Sequence, residues 1–469
     1  MLKSPDQFLR ADGVSASTAG IAQAEDTANR AARAFWSWAQ TPAEERRDLL
    51  EAMAVRLGEN RERLETLAAT EVGAAKPWID FNIDVAQAHL RQARDLVPLM
   101  ADQVVENTDG SGRSILRRQP VGVVLGFAPW NAPITLAVRA VAAPMACGNS
   151  VVLKASEHCP QTHRAVIEIL NSAGLPEGVA TVVDTAPEDS VGVARALIHH
   201  PAVRRINFTG STRVGRLVAE EAGKAVKRCV LELSGKAPLI VLEDADLDAA
   251  AAAAAVGAFF NQGQVCMSTE RILAVGDIGD PFVERLLAQT RKLHAADPKV
   301  EQAPLGRMIN AEAAARVRGL IDDAVSKGAR LLLGGEVDGA VMQPAVVDGV
   351  TSNMRLYHEE SFGPVASVIR VRDAEEAVSV ANDTEFGLAA AIFGKDADRC
   401  LDLATRLETG ICQINGPTIH DDPSMPFGGV KSSGYGRFGG LTALDEFTDL
   451  RWISQRFDAD AARIEKCLF

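Results

Sequence analysis

The cysteine at position 266 stands in Phe259-Phe260-Asn261-Gln262-Gly263-Gln264-Val265-Cys266-Met267-Ser268-Thr269, among small and amide-bearing residues just after an alanine-rich run. A thiol in a polar, flexible stretch can meet solvent and substrate, whereas a cysteine used as core filler usually has apolar neighbours. Cys266 is therefore a candidate nucleophile, and the question becomes which residues could serve it. Glu232, in Leu231-Glu232-Leu233-Ser234-Gly235-Lys236, is a carboxylate between two leucines. It is either a desolvated general base or a solvated charge at a strand end. Asn131 lies in Gly126-Phe127-Ala128-Pro129-Trp130-Asn131-Ala132-Pro133. A proline-bracketed turn there can aim its amide at an oxyanion, although turns use asparagine for backbone reasons as well.

Two further stretches suit a nucleotide. In Gly148-Asn149-Ser150-Val151-Val152-Leu153-Lys154-Ala155-Ser156-Glu157, Lys154 and Glu157 follow a buried strand, where α/β folds bind nucleotides. A carboxylate there accepts from both ribose hydroxyls and repels a 2′-phosphate, and the plain alternative is solvation of a strand end. In Phe208-Thr209-Gly210-Ser211-Thr212-Arg213-Val214-Gly215 a strand meets a glycine turn that opens a helix, a place for a phosphate or an ordinary connection. It matches neither G-x-G-x-x-G nor a P-loop.

The elements that must position these groups follow an α/β pattern. Short apolar runs at 121–127, 150–154, 179–183, 205–208 and 238–242 alternate with helical stretches, as buried parallel strands do. A second α/β region spans about 252–426, with helices expected at 281–294 and 312–327 and strands at 329–334, 366–371 and 410–415. Ahead of both, 22–100 reads as two or three amphipathic helices, and 107–112 as a loop. Residues 114–120 read as extended, with Pro120 arguing for an edge position, and 445–454 as an edge strand.

With 469 residues the chain exceeds what one hydrophobic core usually supports. Lys and Arg number 49 against 62 Asp and Glu, a net charge of −13 that argues against a nucleic-acid partner. Seven cysteines, at 147, 159, 229, 266, 400, 412 and 467, include no C-x-x-C pair, which disfavours a zinc site or a disulfide framework and suggests a reduced compartment. Residues 1–6 lack the apolar stretch of a signal peptide, and no apolar run reaches the roughly 18 residues that span a bilayer. A cytoplasmic location is expected.

Pro129-Trp130-Asn131, Lys154-x-x-Glu157, Phe208-Thr209-Gly210-Ser211-x-x-x-Gly215, Glu232-Leu233-Ser234-Gly235-Lys236, Gly263-Gln264-x-Cys266, Glu360-Ser361-Phe362-Gly363-Pro364 and Pro426-Phe427-Gly428-Gly429-x-Lys431-x-Ser433-Gly434 occur in this order over most of the chain. The series resembles the NAD(P)-dependent aldehyde dehydrogenase superfamily. That resemblance implies Cys266 as nucleophile, Asn131 as oxyanion donor and Glu232 as base. It places Glu360 and Phe362 at the nicotinamide ribose and ring, Lys154 and Glu157 at the adenine ribose, and Gly210, Ser211 and Gly215 at the pyrophosphate. Phe127, Trp130 and Leu233 also fall in the cofactor site. Ser234 is a departure, since glycine more often follows Glu-Leu, and it adds a hydroxyl beside the base.

The resemblance implies a Rossmann-type cofactor domain at 1–101 and 120–233, an α/β catalytic domain at 234–432, and bridging segments at 102–119 and 433–469 that form a small β oligomerisation element. NAD is the expected cofactor, no metal is needed, and a homodimer or homotetramer is expected. The carboxyl-terminal motifs look like the salicylaldehyde, benzaldehyde and vanillin dehydrogenase branch. Arg139 points the same way, although a structural ion pair is an equal reading for it. Phe260, Met267, Ile419, His420 and Phe427 are candidates to line an aromatic slot. The reaction expected is oxidation of an aromatic aldehyde through a thiohemiacetal and a thioester. The alternatives are an aliphatic aldehyde or semialdehyde substrate, or a thiol esterase that needs no cofactor.

Overall fold

The computed structural model describes residues 17–108 and 110–457. Residues 1–6, Asp109 of the expected loop and Cys467 lie outside the described residues, as do both outer ends of the expected domains. Four helices come first, Thr18–Trp38, Ala43–Glu59, Arg61–Val72 and Lys76–Leu96, where two or three were expected. The apolar period runs almost unbroken through Asn60, a single residue between two helices, so the pattern alone hides that break. The next is sharper, because Gly73 takes a left-handed φ of 67° that a glycine tolerates.

The first sheet has six strands in the order Gly434–Tyr435, Arg228–Glu232, Val203–Thr209, Val123–Phe127, Ser150–Lys154 and Ala180–Val183. All its pairings are parallel except that of Gly434–Tyr435. Val123–Phe127 and Ser150–Lys154 are buried at every position, as strands covered by helices on both faces must be. The second sheet has seven strands, Arg330–Leu333, Ala345–Asp348, Val365–Val371, Thr269–Val275, Ala237–Val241, Ala389–Phe393 and Ile411–Ile414. One antiparallel pair closes its outer end. Both are α/β sheets with helical connections.

A third sheet orders Gln103–Glu106, Gly112–Pro120 and Thr448–Arg456 antiparallel. The expectation for Pro120 is corrected here, since its strand is the central one. Gln103–Glu106 pairs only with residues 113–116, so Pro120 lies past that short neighbour and owes it no N–H. At the other end, Asp445–Phe447 belong to the helix Thr442–Phe447, and the edge strand starts at Thr448.

What places a site between the two large sheets is one short crossing. Arg228–Glu232 of the first sheet is followed directly by Ala237–Val241 of the second, so Leu233, Ser234, Gly235 and Lys236 bridge the two. Among the described residues no helix is long and apolar enough to cross a membrane, and no group of three His, Cys, Asp or Glu could hold a metal ion.

Candidate active site

The nucleophile arrives on a turn that the chain must be forced to make. The alanine-rich helix Leu247–Phe259 ends, and Asn261, Gln262 and Gly263 then take φ values of 50°, 57° and 68°. Left-handed backbone costs a non-glycine residue about 1–3 kcal/mol, so something must hold it. The amides do. Asn261 Nδ2 donates to the Asn131 carbonyl at 2.9 Å, and Gln262 bridges Arg307 O and Gly306 N at 2.9 and 2.8 Å. Gln264 Oε1 accepts from Ile309 N at 2.9 Å, and Asn131 Nδ2 donates to Gln264 O at 3.0 Å. The third residue must be glycine, because a Cβ on Gly263 would lie 2.1 Å from the Gly363 carbonyl oxygen. Cys266 emerges half-buried between buried Val265 and Met267.

Glu232 is the last residue of its strand and 1 % exposed. Its Oε2 accepts from Arg139 Nη2 at 2.7 Å, while Oε1 is buried and has no hydrogen-bond partner among the described residues. Arg139 comes from the helix Pro133–Ala146, which the Asn131 turn opens. Its guanidinium also donates to Thr209 Oγ1 at 3.1 Å and lies 4.6 and 4.8 Å from the ring centres of Phe427 and Phe438. The bridge closes on the nucleophile at Gly235, where a Cβ would meet the Cys266 carbonyl oxygen at 2.3 Å. Desolvation, and after it the charge of Glu232, pushes the Cys266 thiol well above its ordinary range, with Arg139 opposing. The thiol therefore rests protonated, with a carboxylate near it.

The same bridge meets a second group of residues. Gly235 N donates to Glu360 Oε1 at 2.9 Å, and the Ser234 hydroxyl bonds the same carboxylate. Desolvation and the neighbouring charge of Glu270 push Glu360 up to about 7. Glu270 itself accepts from Lys236 Nζ at 2.7 Å, from Ser361 N and Oγ at 2.9 and 2.7 Å, and from Phe362 N at 3.0 Å. Phe362, held at a φ of 44°, stands edge-on to Trp130 with ring centres 5.7 Å apart.

Further along the strand ends, Lys154 and Glu157 pair, and Ser190 joins both. Burial works against the Glu157 carboxyl, but Lys154 and the two hydrogen bonds outweigh it and hold it below the usual range. Ser211 caps the helix Thr212–Lys224 by accepting from Val214 N at 3.4 Å. Gly210 N donates to the Glu232 carbonyl at 3.0 Å, and Gly215 leaves room for Leu233, whose side chain a Cβ would meet at 2.4 Å. Phe127 packs against Phe208 with ring centres 5.7 Å apart. Carboxylates at two separated points, with a helix N-terminus between them along a parallel sheet's carboxyl edge, fit a dinucleotide.

Residues 11–453 match the aldehyde dehydrogenase family. The chain belongs to that family. It is an oxidoreductase acting on aldehydes, in a family that uses NAD(P). It is 50% identical over 440 residues to a vanillin dehydrogenase of Pseudomonas fluorescens, covering 93% of this chain and 90% of that one. It is 38% identical over 440 residues to a benzaldehyde dehydrogenase [NAD(+)] of Pseudomonas putida, with the same coverage. A crystal structure of a salicylaldehyde dehydrogenase from Pseudomonas putida G7 complexed with salicylaldehyde superposes with a TM-score of 0.91. The two are 41% identical, over 94% of this chain and 91% of that one.

In this aldehyde dehydrogenase the remaining expected residues divide. Met267, Ile419 and Phe427 are buried in one apolar cluster, against which Phe260 and Cys266 pack. His420 is exposed. Arg139, read from sequence as either a pocket residue or half of an ion pair, is 4 % exposed and paired with Glu232. Sequence reasoning missed the aromatic group beside the nucleophile loop. Trp78 Nε1 donates to the Asn131 carbonyl at 2.8 Å, and Trp78 stands 4.8 Å from Phe260 and 5.4 Å from Phe81 between ring centres. Trp78 and Phe81 sit on an early helix with no nearby motif, so nothing local flags them. Thr209, Ser190, Glu270 and Phe438 were also missed as site residues, although Thr209 lies inside a quoted motif and Glu270 directly follows the nucleophile stretch.

Proposed function

We propose that this enzyme oxidises aromatic aldehydes of the vanillin, benzaldehyde or salicylaldehyde type to carboxylic acids, with NAD as acceptor. The observation that carries the substrate class is the group Trp78, Phe81 and Phe260 abutting the turn that delivers Cys266. Flat aromatic faces and edges favour a ring over a flexible chain. The names of the similar proteins agree. Glu157 supports NAD, because a carboxylate at the ribose hydroxyls repels a 2′-phosphate.

Lys154 and Glu157 would hold the adenine ribose, the Gly210–Ser211 turn and Gly215 the pyrophosphate, and Glu360, Phe362, Trp130, Phe127 and Leu233 the nicotinamide end. The bound dinucleotide supplies a hydride acceptor. Cys266 loses its proton to Glu232 as its sulfur attacks the aldehyde carbon. The oxyanion takes hydrogen bonds from the Cys266 N–H and from the second Asn131 amide hydrogen, the first being used on Gln264 O. Each such donor is worth about 3–4 kcal/mol. Glu232 passes that proton to solvent before the second half-reaction. Once the thioester has formed, Glu232 takes a proton from water as the water attacks it, and collapse releases the acid and the Cys266 thiolate, which takes the proton back from Glu232.

Residues 1–101 and 120–233 form the cofactor-binding part of this reading, 234–432 the catalytic part, and 102–119 with 433–469 the oligomerisation element of a cytoplasmic homodimer or homotetramer. Steady-state NADH formation tests the reading. Catalytic efficiency on benzaldehyde, vanillin or salicylaldehyde should exceed that on hexanal and succinic semialdehyde, and the reverse order would remove the aromatic assignment. The same assay should favour NAD over NADP, with Glu157→Ala narrowing the ratio. Ester turnover without any NADH formation from aldehydes would instead support the esterase alternative.

A further inference from the structure

Arg139 does more around Glu232 than neutralise it. The pair is dry, with side chains 4 % and 1 % exposed, and it is asymmetric. Arg139 engages Oε2 alone, at 2.7 Å, and Oε1 is buried with no partner among the described residues. The guanidinium cannot drift toward Oε1, because Thr209 Oγ1 holds it at 3.1 Å and the rings of Phe427 and Phe438 flank it at 4.6 and 4.8 Å. With Glu232, four residues distant from Arg139 in the chain surround its guanidinium. A buried unpaired carboxylate oxygen is costly, so it should find employment.

We infer that Arg139 is a positioning residue that locks one oxygen of Glu232 and so presents the other, Oε1, as the proton acceptor, first of the Cys266 thiol and then of the hydrolytic water. This rests on the reading of Cys266 as nucleophile and Glu232 as base. Other charges reach the pair. Cys266 faces Glu232 from the nucleophile side, and Glu360 lies near enough to Cys266 to act on its thiol. Asp421 faces Arg139 from the other side, itself 3.4 Å from His89 Nε2 and near His420.

p-Nitrophenyl acetate tests this without cofactor or hydride transfer. Acylation of Cys266 releases a burst of p-nitrophenolate, and the steady state reports hydrolysis of the acyl-enzyme. In Arg139→Met, steady-state hydrolysis at pH 7 should fall at least about tenfold, because Oε1 is no longer held toward the thiol and the water. Arg139→Lys should restore part of that rate, because a charged donor returns, and not all of it, because the fork does not. In a Glu232→Gln background Arg139→Met should add less than about twofold, since it acts through Glu232. Should Arg139→Met fail to fold by circular dichroism, Arg139→Gln, which keeps a donor without charge, carries the same expectations. A wild-type hydrolysis rate in the folded variant, a full additional loss on top of Glu232→Gln, or a change confined to aldehyde KM would overturn the inference. Unchanged hydrolysis in Glu232→Gln alone would overturn the reading beneath it as well. Loss there with none in Arg139→Met would overturn only the inference.

Discussion

Two buried carboxylates flank the bridge between the sheets, each paired with a buried cation, and they differ in what is left over. Glu270 is saturated, since Lys236, the Ser361 amide and hydroxyl and the Phe362 amide occupy both its oxygens. Glu232 has one oxygen held by Arg139 and one with no partner among the described residues. A saturated buried pair cannot accept another proton donor without breaking a bond it already has. A half-saturated one is poised to, at the cost of an unsatisfied atom in the resting enzyme. Glu270 thus ties down the loop that carries Glu360 and Phe362, and Glu232 keeps an oxygen for chemistry. Stability and reactivity are separated here by hydrogen-bond count, not by burial.

The widest gap between the two should open in activity. Glu232→Gln keeps an oxygen for Arg139 but has no basic one to offer. Acyl-enzyme hydrolysis should fall by about 10²–10⁴-fold, the usual worth of a positioned general base. Folding should be retained, and stopped-flow hydrolysis with a thermal melt on the same sample checks both. Hydrolysis within a fewfold of wild type would place the base elsewhere.

Glu270→Ala should do the opposite. It strands the Lys236 ammonium, which is fully buried and which desolvation already pushes below its ordinary value. Breaking a buried pair from one side typically costs about 3–5 kcal/mol. Urea unfolding should show a loss of that order, while acylation of Cys266 in the surviving folded fraction changes far less. A stability loss under about 1 kcal/mol would mean that Glu270 is not the anchor its bonds suggest.

This division was only half legible in the sequence. The strand over 150–154 and the helix over 312–327 follow from apolar pattern, and the structure places them at Ser150–Lys154 and Ala311–Ser326. Motif order carried the chemistry further than any local signal, since Cys266, Glu232 and Asn131 each had a plain structural reading when taken alone. What stayed hidden is whatever depends on contacts between distant segments. Arg139 could be read as pocket or ion pair until Glu232, Thr209, Phe427 and Phe438 were seen around it. Trp78 gave no sign of meeting the Asn131 carbonyl across half a domain. The number of early helices was missed because Asn60 interrupts the backbone without interrupting the period.

Glu360 stands between the two extremes and gives the finest test. Its hydrogen bonds come from the Gly235 amide and the Ser234 hydroxyl, and desolvation with the nearby charge of Glu270 raises it to about 7 from an ordinary carboxyl near 4.5. A carboxyl raised in the folded state contributes stability that is fully present below its unfolded value and is lost as pH rises through about 7. The cofactor-free enzyme should therefore lose stability through this group between about pH 4.5 and 7. Cofactor binding should run the other way, because the proposed ribose contact needs the ionised carboxylate. NAD affinity, followed by titration calorimetry, should weaken by up to about tenfold from pH 8 to pH 6. Glu360→Gln should flatten that dependence. Ser234→Ala, which removes a bond to the ionised form, should move its midpoint upward. Ser234 would then tune cofactor binding from beside the base. A flat wild-type profile over the same range would instead mean that Glu360 does not change its charge there, and Ser234 would have nothing to tune.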